Sequence, residues 1–263
     1  MNEFDIQILI SIVKDAGKIL KKYYKSDLKV ENKVDKSPKT IADIESNEYI
    51  VKMLKRHFKD YTIVSEEGEQ EISAKYFTVD PLAGTANFIN STARFDVMLG
   101  VVHNYSPILG LVYNPITDEL WIGGRHYPTS RVVGNIKTLI NIQPKFCVND
   151  DIILTLGASK FNEDISKFIP ELKFLYRNES NLNYRSSINI SQQESNVGIR
   201  LTGGTWIWDL AATHAILEGA KGITRDLRGN EIVYNQVQTK IGTIATDTVY
   251  RMDKLLKSLN TSP

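Results

Sequence analysis

Asp80-Pro81-Leu82-Ala83-Gly84-Thr85-Ala86-Asn87-Phe88 follows the apolar run Tyr76-Phe77-Thr78-Val79, and its reading decides the rest of the chain. The apolar run has the character of a buried strand, and the residues after Gly84 open a helix. A carboxylate therefore stands at the end of a strand. Pro81 fixes the backbone behind it, and Gly84 permits a tight turn. In such a turn the N–H groups of Gly84 and Thr85 point at one spot, where an anionic phosphate is favoured. The stretch predicts a metal ion and a phosphoryl group side by side. A second carboxylate at position 83 would complete the metal site, and here that position is Ala83.

Three more segments place carboxylates at element boundaries. They are Asp35-Lys36-Ser37-Pro38-Lys39-Thr40-Ile41-Ala42-Asp43, then Ile63-Val64-Ser65-Glu66-Glu67-Gly68, then Ile207-Trp208-Asp209-Leu210-Ala211-Ala212 with the apolar His214–Gly222 run behind it. The first lies between an amphipathic helix over 4–25 and a second helix from Asp43 to about Phe58, where Ile44, Ile50, Val51 and Leu54 recur at helical spacing. Strand-like runs follow at 61–64, 76–80, 96–102, 107–113 and 118–122, the last two joined as a hairpin. From about 136, strands (152–157, 173–176, 198–201) alternate with helices (162–169, 186–194, 208–219), which suggests a second, smaller sheet. The expected division is an α+β half over 1–130 with most of the carboxylates, and an α/β half over 131–263. No Pro-, Gly- or Ser-rich tether separates them.

Composition excludes several classes. With 263 residues, 42% hydrophobic and 24% charged, the chain has ample core. A net charge of +1 gives no global attraction to nucleic acid or an anionic membrane. Lys21-Lys22-Tyr23-Tyr24-Lys25 is the only basic–aromatic cluster and reads as a solvated helix end. The single cysteine, Cys147, cannot form an internal disulfide and fits a reducing compartment. The apolar run from Ile6 to Val13 is too short to span a bilayer, which needs roughly 20 residues. The expectation is a cytoplasmic protein. His57, His103, His126 and His214 show neither metal-ligand spacing nor a nucleophile partner.

Taken in order, the four segments resemble the motifs of the Mg²⁺-dependent, Li⁺-sensitive phosphomonoesterases of the inositol monophosphatase superfamily, from about residue 6 to about 245. The central stretch is similar to that family's Asp-Pro-(Ile/Leu)-Asp-Gly-Thr, and Trp208-Asp209 to its Trp-Asp-x-Ala-Ala-Gly. Pro107–Pro115, Ile207-Trp208-Asp209 and Ser186-Ser187 look most like the bacterial 3′(2′),5′-bisphosphate nucleotidase branch. Arg185, Asn189 and Thr213 depart from that branch, which has Gly, Lys and Gly there.

The resemblance implies a layered α/β/α/β/α sandwich of the inositol monophosphatase and fructose-1,6-bisphosphatase type. It implies two or three Mg²⁺ ions and hydrolysis of adenosine 3′,5′-bisphosphate to AMP and phosphate. Glu66, Asp80 and the Leu82 carbonyl would hold the first ion. Asp80 and Asp209 would hold the second, weakened by Ala83. Asp43, Glu66 and Thr85 would be catalytic, with Asp43 and Thr85 orienting and deprotonating the attacking water. Gly84, Thr85, Lys160, Ser186, Gly204 and Asp209 would meet the substrate. Small-molecule phosphate esters are the implied partners, with a homodimer common in the family.

Each carboxylate also has a plainer reading. Asp43, Asp80 and Asp209 suit helix caps, and Glu66-Glu67 suits a solvated turn. Ala83, alone among intact neighbours, reads as an engineered inactivating substitution that Ala83→Asp would reverse. The competing readings are an inositol or sugar phosphatase, and a non-catalytic protein that binds a phosphorylated metabolite.

Overall fold

The structure, a computed structural model, describes residues 2–26, 30–32, 38–68, 70–143, 152–155, 174–177, 185–200 and 203–261. The first helix, α1 (Glu3–Tyr23), starts at a capping box in which Asn2 and Asp5 each accept the other's backbone N–H. A short ladder, β1 (Val30–Asn32) with β2 (Pro38–Thr40), leads into α2 (Ile41–His57). That helix is capped by Thr40 and Asp43. Ile6, Leu9, Val13, Ala16 and Leu20 on α1, with Ile50 and Leu54 on α2, form stripes at helical spacing. The two helices bury those stripes against each other and one face of a large sheet.

That sheet has seven strands in chain order: β3 (Thr62–Ser65), β4 (Lys75–Ala83), β5 (Asp96–His103), β6 (Ser106–Asn114), β7 (Glu119–Gly124), β8 (Tyr127–Val133) and β9 (Ile136–Leu139). A five-residue helix, α3 (Thr85–Ile89), interrupts the path from β4 to β5. Only β3 and β4 run parallel; the rest is an antiparallel meander. The hairpin expected around Asn114–Thr117 is present, with Asn114 and Glu119 paired at its mouth. The Asn114 side chain accepts the N–H groups of Ile116 and Thr117 and donates to Ala93 and Phe95 carbonyls, which fixes the turn.

The second face of the sheet carries α4 (Ser186–Ser191) and α5 (Ile207–Gly219). Beyond them lies a sheet of order β11 (Phe174–Arg177), β10 (Ile152–Thr155), β12 (Val197–Arg200), β14 (Thr243–Thr246) and β13 (Ile223–Asp226). The outer helix α6 (Val249–Thr261) closes that side. Strand alternation assigns the layers. Ile244 of β14 packs with Met252 and Leu255 of α6, whereas its neighbour Ala245 packs with Ile190 of α4 and Leu217 of α5. The result is the expected α/β/α/β/α sandwich. The outer ladder of four residue pairs, β8 to β9, lies outside the sequence expectations, as do β13, β14 and α6. Strands on both sides of residue 130 share the large sheet. The helix expected over 162–169 lies outside the described residues.

Two features locate the site within these layers. At Gly110 any side chain would run into the backbone of Ala212, so α5 lies directly on β6. And β4 carries an irregularity between Asp80 and Ala83 that shifts its register against β5. The β4 end and the start of α5 thereby meet on one side of the sheet. No helix among the described residues is long and apolar enough to cross a membrane.

Candidate active site

Asp43 is the third residue of α2, and the two oxygens of its carboxylate face different ways. Its Oδ2 accepts the backbone N–H and the hydroxyl of Thr40, at 2.7 and 2.6 Å, which completes the cap of α2. Its Oδ1 lies 3.3 Å from the hydroxyl of Thr85, which also lies 3.1 Å from the Leu82 carbonyl. Asp43 thus takes part in the cap of α2 through one oxygen and turns the other toward Thr85. Burial pushes the Asp43 carboxyl up to about 6 against the Thr40 hydrogen bonds, helped by the negative charges of Glu67 and Glu66.

Asp80 ends the regular part of β4. One of its oxygens accepts the Leu82 N–H at 3.0 Å, which turns the chain toward α3. It does not cap α3; that role falls to Gly84, held in the left-handed region at φ 90°. Asp80 is 2% exposed. Burial raises its pKa well above the ordinary carboxylate range, and the charges of Glu66 and Asp209 add to the shift, as does a hydrogen bond with Glu66. The half-buried Glu66 and Asp209 therefore stand close to the buried Asp80 carboxylate. Asp209 is in the first turn of α5 and does not cap it, the N-cap being Trp206. The capping alternative thus falls for Asp80 and Asp209.

The polar face of α2 supports these ends. Ser46 donates to the Pro81 carbonyl at 3.1 Å, and Ser65 donates to Asn47 Oδ1 at 2.5 Å. Glu67, beside Glu66, pairs with Lys39 at 2.7 Å. The Glu66-Glu67 pair is accordingly no solvated turn. Glu67 is buried at its side chain (3%), and its partner Lys39 lies too far away in the chain to be read from local spacing.

Position 83 has neighbours that sequence reasoning missed. Asp96, the first residue of β5, stands opposite Ala83 in the ladder and is fully buried. Arg185, just ahead of α4, donates from Nε to Asp96 Oδ2 at 2.7 Å and from Nη2 to Asp96 Oδ1. A signal was available: an acidic residue opening the apolar strand Asp96-Val97-Met98-Leu99 demands a buried partner. Of the expected substrate contacts, Gly204 lies on the exposed loop into α5 with φ 87°. Ser186 opens α4. Lys160 lies outside the described residues, as does Cys147.

Among the described residues, no three or more His, Cys, Asp or Glu side chains are placed so that together they could hold a metal ion as they stand. The donor set nonetheless suits a hard divalent cation. Asp80, raised by the charges of Glu66 and Asp209 in a place with little water, is stabilised as a carboxylate by any cation bound there.

Comparison with known proteins follows the same lines. The sequence model described as the inositol monophosphatase family matches residues 1–262. Among curated proteins, a 3′(2′),5′-bisphosphate nucleotidase named CysQ from Haemophilus influenzae is 26% identical over 251 residues, covering 92% of this chain and 91% of that protein. Among solved structures, an inositol monophosphatase from Zymomonas mobilis superposes with a TM-score of 0.79 at 24% identity, covering 98% of each chain. A staphylococcal inositol monophosphatase I solved with products gives 0.80 at 19% identity, over 99% of this chain and 97% of that one.

Proposed function

The chain belongs to the inositol monophosphatase family, and from that premise we propose that it is a Mg²⁺-dependent phosphomonoesterase acting as a 3′(2′),5′-bisphosphate nucleotidase. The observation that carries the reading is the meeting of Asp43–Thr85 with the Glu66, Asp80 and Asp209 carboxylates at the end of β4. The nucleotidase assignment draws on the CysQ relative, which matches over nearly its whole length. Adenosine 3′,5′-bisphosphate is the proposed substrate. The bond from phosphorus to the 3′ oxygen breaks, a water oxygen joins phosphorus, and the 3′ hydroxyl of AMP leaves with a proton.

In this reading Glu66, Asp80 and the Leu82 carbonyl hold one Mg²⁺, and Asp80 with Asp209 are what remains of a second site depleted at Ala83. When bound, Mg²⁺ supplies positive charge at the phosphoryl oxygens and at the attacking and departing oxygens. The rest falls to the chain's own groups. Asp43, with a pKa of about 6, is ionised at neutral pH yet basic enough to draw a proton from water through the Thr85 hydroxyl. Its Thr40 hydrogen bonds hold the carboxylate in one orientation. The turn at Gly84 presents backbone N–H groups to the phosphoryl oxygens. Ser186, Gly204 and Lys160 are the proposed contacts to the remainder of the substrate.

The test is phosphate release from adenosine 3′,5′-bisphosphate and inositol 1-phosphate in Mg²⁺, with and without Li⁺. Faster, Li⁺-sensitive release from the nucleotide supports the reading. Preference for inositol 1-phosphate makes the protein an inositol phosphatase. Binding of either compound without release makes it a binding protein.

A further inference from the structure

A lone carboxylate-to-methyl change in a metal site leaves a hole in the charge pattern, and the surroundings of Ala83 show no such hole. Directly opposed residues of an antiparallel pair project to one face, with Cβ atoms about 4.5–5.5 Å apart. Ala83 and Asp96 are such a pair, so a carboxylate stands beside position 83 after all, carried by β5 instead of β4. That carboxylate is engaged on both oxygens by the Arg185 guanidinium, whose side chain is itself only 16% exposed. Two parallel N–H···O bonds fix the cation's position as well as its charge, and a guanidinium keeps that charge at every working pH.

The elements around the pair converge on the same point. Ala83 packs in one cluster with Met98 of β5, Ile188 of α4 and Ala212 of α5. Arg185 immediately precedes α4, and Asp209 stands one turn before Ala212. The helix starts that carry Arg185 and Asp209 are thus both packed over position 83.

We propose that the Arg185 guanidinium, clamped on Asp96, takes the seat of the second divalent cation in this site. Ala83 is then one corner of a matched set of three residues, Ala83, Asp96 and Arg185, and not an isolated lesion. A methyl group at 83 leaves room for the pair; an aspartate there places a second buried carboxylate against Asp96 and competes for the same guanidinium. The cation that the second site offers a phosphoryl group is built into the chain. This deepens the metal-dependent reading above and rests on it.

The test counts ions on the full chain by equilibrium dialysis with Mn²⁺, with near-UV circular dichroism to establish folding. Three proteins are compared: native, Ala83→Asp, and Ala83→Asp combined with Asp96→Ala and Arg185→Leu. Removing the pair as a unit strands neither of its own two charges. Ala83→Asp alone is expected to bind the same number of ions as native, and the triple variant one more, with at least tenfold tighter uptake at the added site. An extra ion in Ala83→Asp alone overturns the proposal, as does a folded triple variant with no extra ion. If the triple variant fails to fold, Ala83→Asn with Asp96→Asn and Arg185→Gln repeats the comparison without adding charge, read by the same two criteria. Absence of Mn²⁺ uptake by any folded protein, native included, overturns the metal-dependent reading itself.

Discussion

The two oxygens of Asp43 have separable jobs, and substitution can pull them apart. Asn at 43 retains an oxygen that accepts the Thr40 N–H, so α2 keeps its cap, but the side chain can no longer take a proton. Asp43→Asn is expected to lower phosphate release by about 10²–10⁴-fold while the melting temperature barely moves. Asp43→Ala also removes the half of the capping box that accepts the Thr40 N–H and costs about 1 kcal/mol of stability in addition. Initial rates and thermal melts of the two variants check this; activity above a tenth of native in Asp43→Asn removes Asp43 from the role of base. The Asp96–Arg185 pair behaves differently, its carboxylate being fully buried and its guanidinium nearly so. Arg185→Leu alone strands a buried carboxylate and is expected to cost about 3–5 kcal/mol, while the double replacement with Asp96→Ala recovers most of that. Urea denaturation of the single and double variants gives the answer.

Among the elements, α5 does the most to bring the site together. It is apolar on every side because it touches sheet on both: Ala212 and Ile216 pack with Met98 and Trp121, and Leu217 with Ala245. Gly110→Ala wedges a methyl group between β6 and the Ala212 backbone. About 1–3 kcal/mol of destabilisation is expected, together with weakened Mn²⁺ uptake, since the same shift displaces Asp209. A variant that loses stability but binds Mn²⁺ like native would show that Asp209 is not held by this contact. The sequence announced α5 through its uninterrupted apolar run, and it announced β4 to β7 through apolar strands and turn residues. It did not announce β8, whose Tyr127-Pro128-Thr129-Ser130-Arg131 is polar and contains Pro, nor β9, where Ile136 and Leu139 lie exposed at the sheet edge. The motif carboxylates were legible because their spacing within short segments is local. The Asp96–Arg185 and Lys39–Glu67 pairs were not, because each joins residues that only the fold brings together.

At the scale of the whole molecule, the layers are tied by charge as well as by packing. Glu218, near the end of α5, accepts from Arg125 Nε and Nη2 at 3.3 Å each, linking the middle helix layer to the turn between β7 and β8. Burial alone would raise the Glu218 pKa; His214 and Arg125 outweigh it and hold the carboxyl down to about 2. A depressed folded-state value means that its contribution is complete above the unfolded value of 4.5 and is lost as pH falls from there toward 2. Melting temperatures measured between pH 5 and 3 are expected to fall more steeply for native protein than for Glu218→Gln. Equal slopes would show that this contact does not govern acid sensitivity. The position of α5 also has a consequence for how the molecule is made. Glu66 and Asp80 leave the ribosome early, while Asp209 follows only after most of the chain has been translated. A growing polypeptide therefore carries an unfinished set of carboxylates through most of its synthesis, and under the proposed function neither a cation nor a phosphate ester would find its full set of partners until the middle layer has emerged and docked.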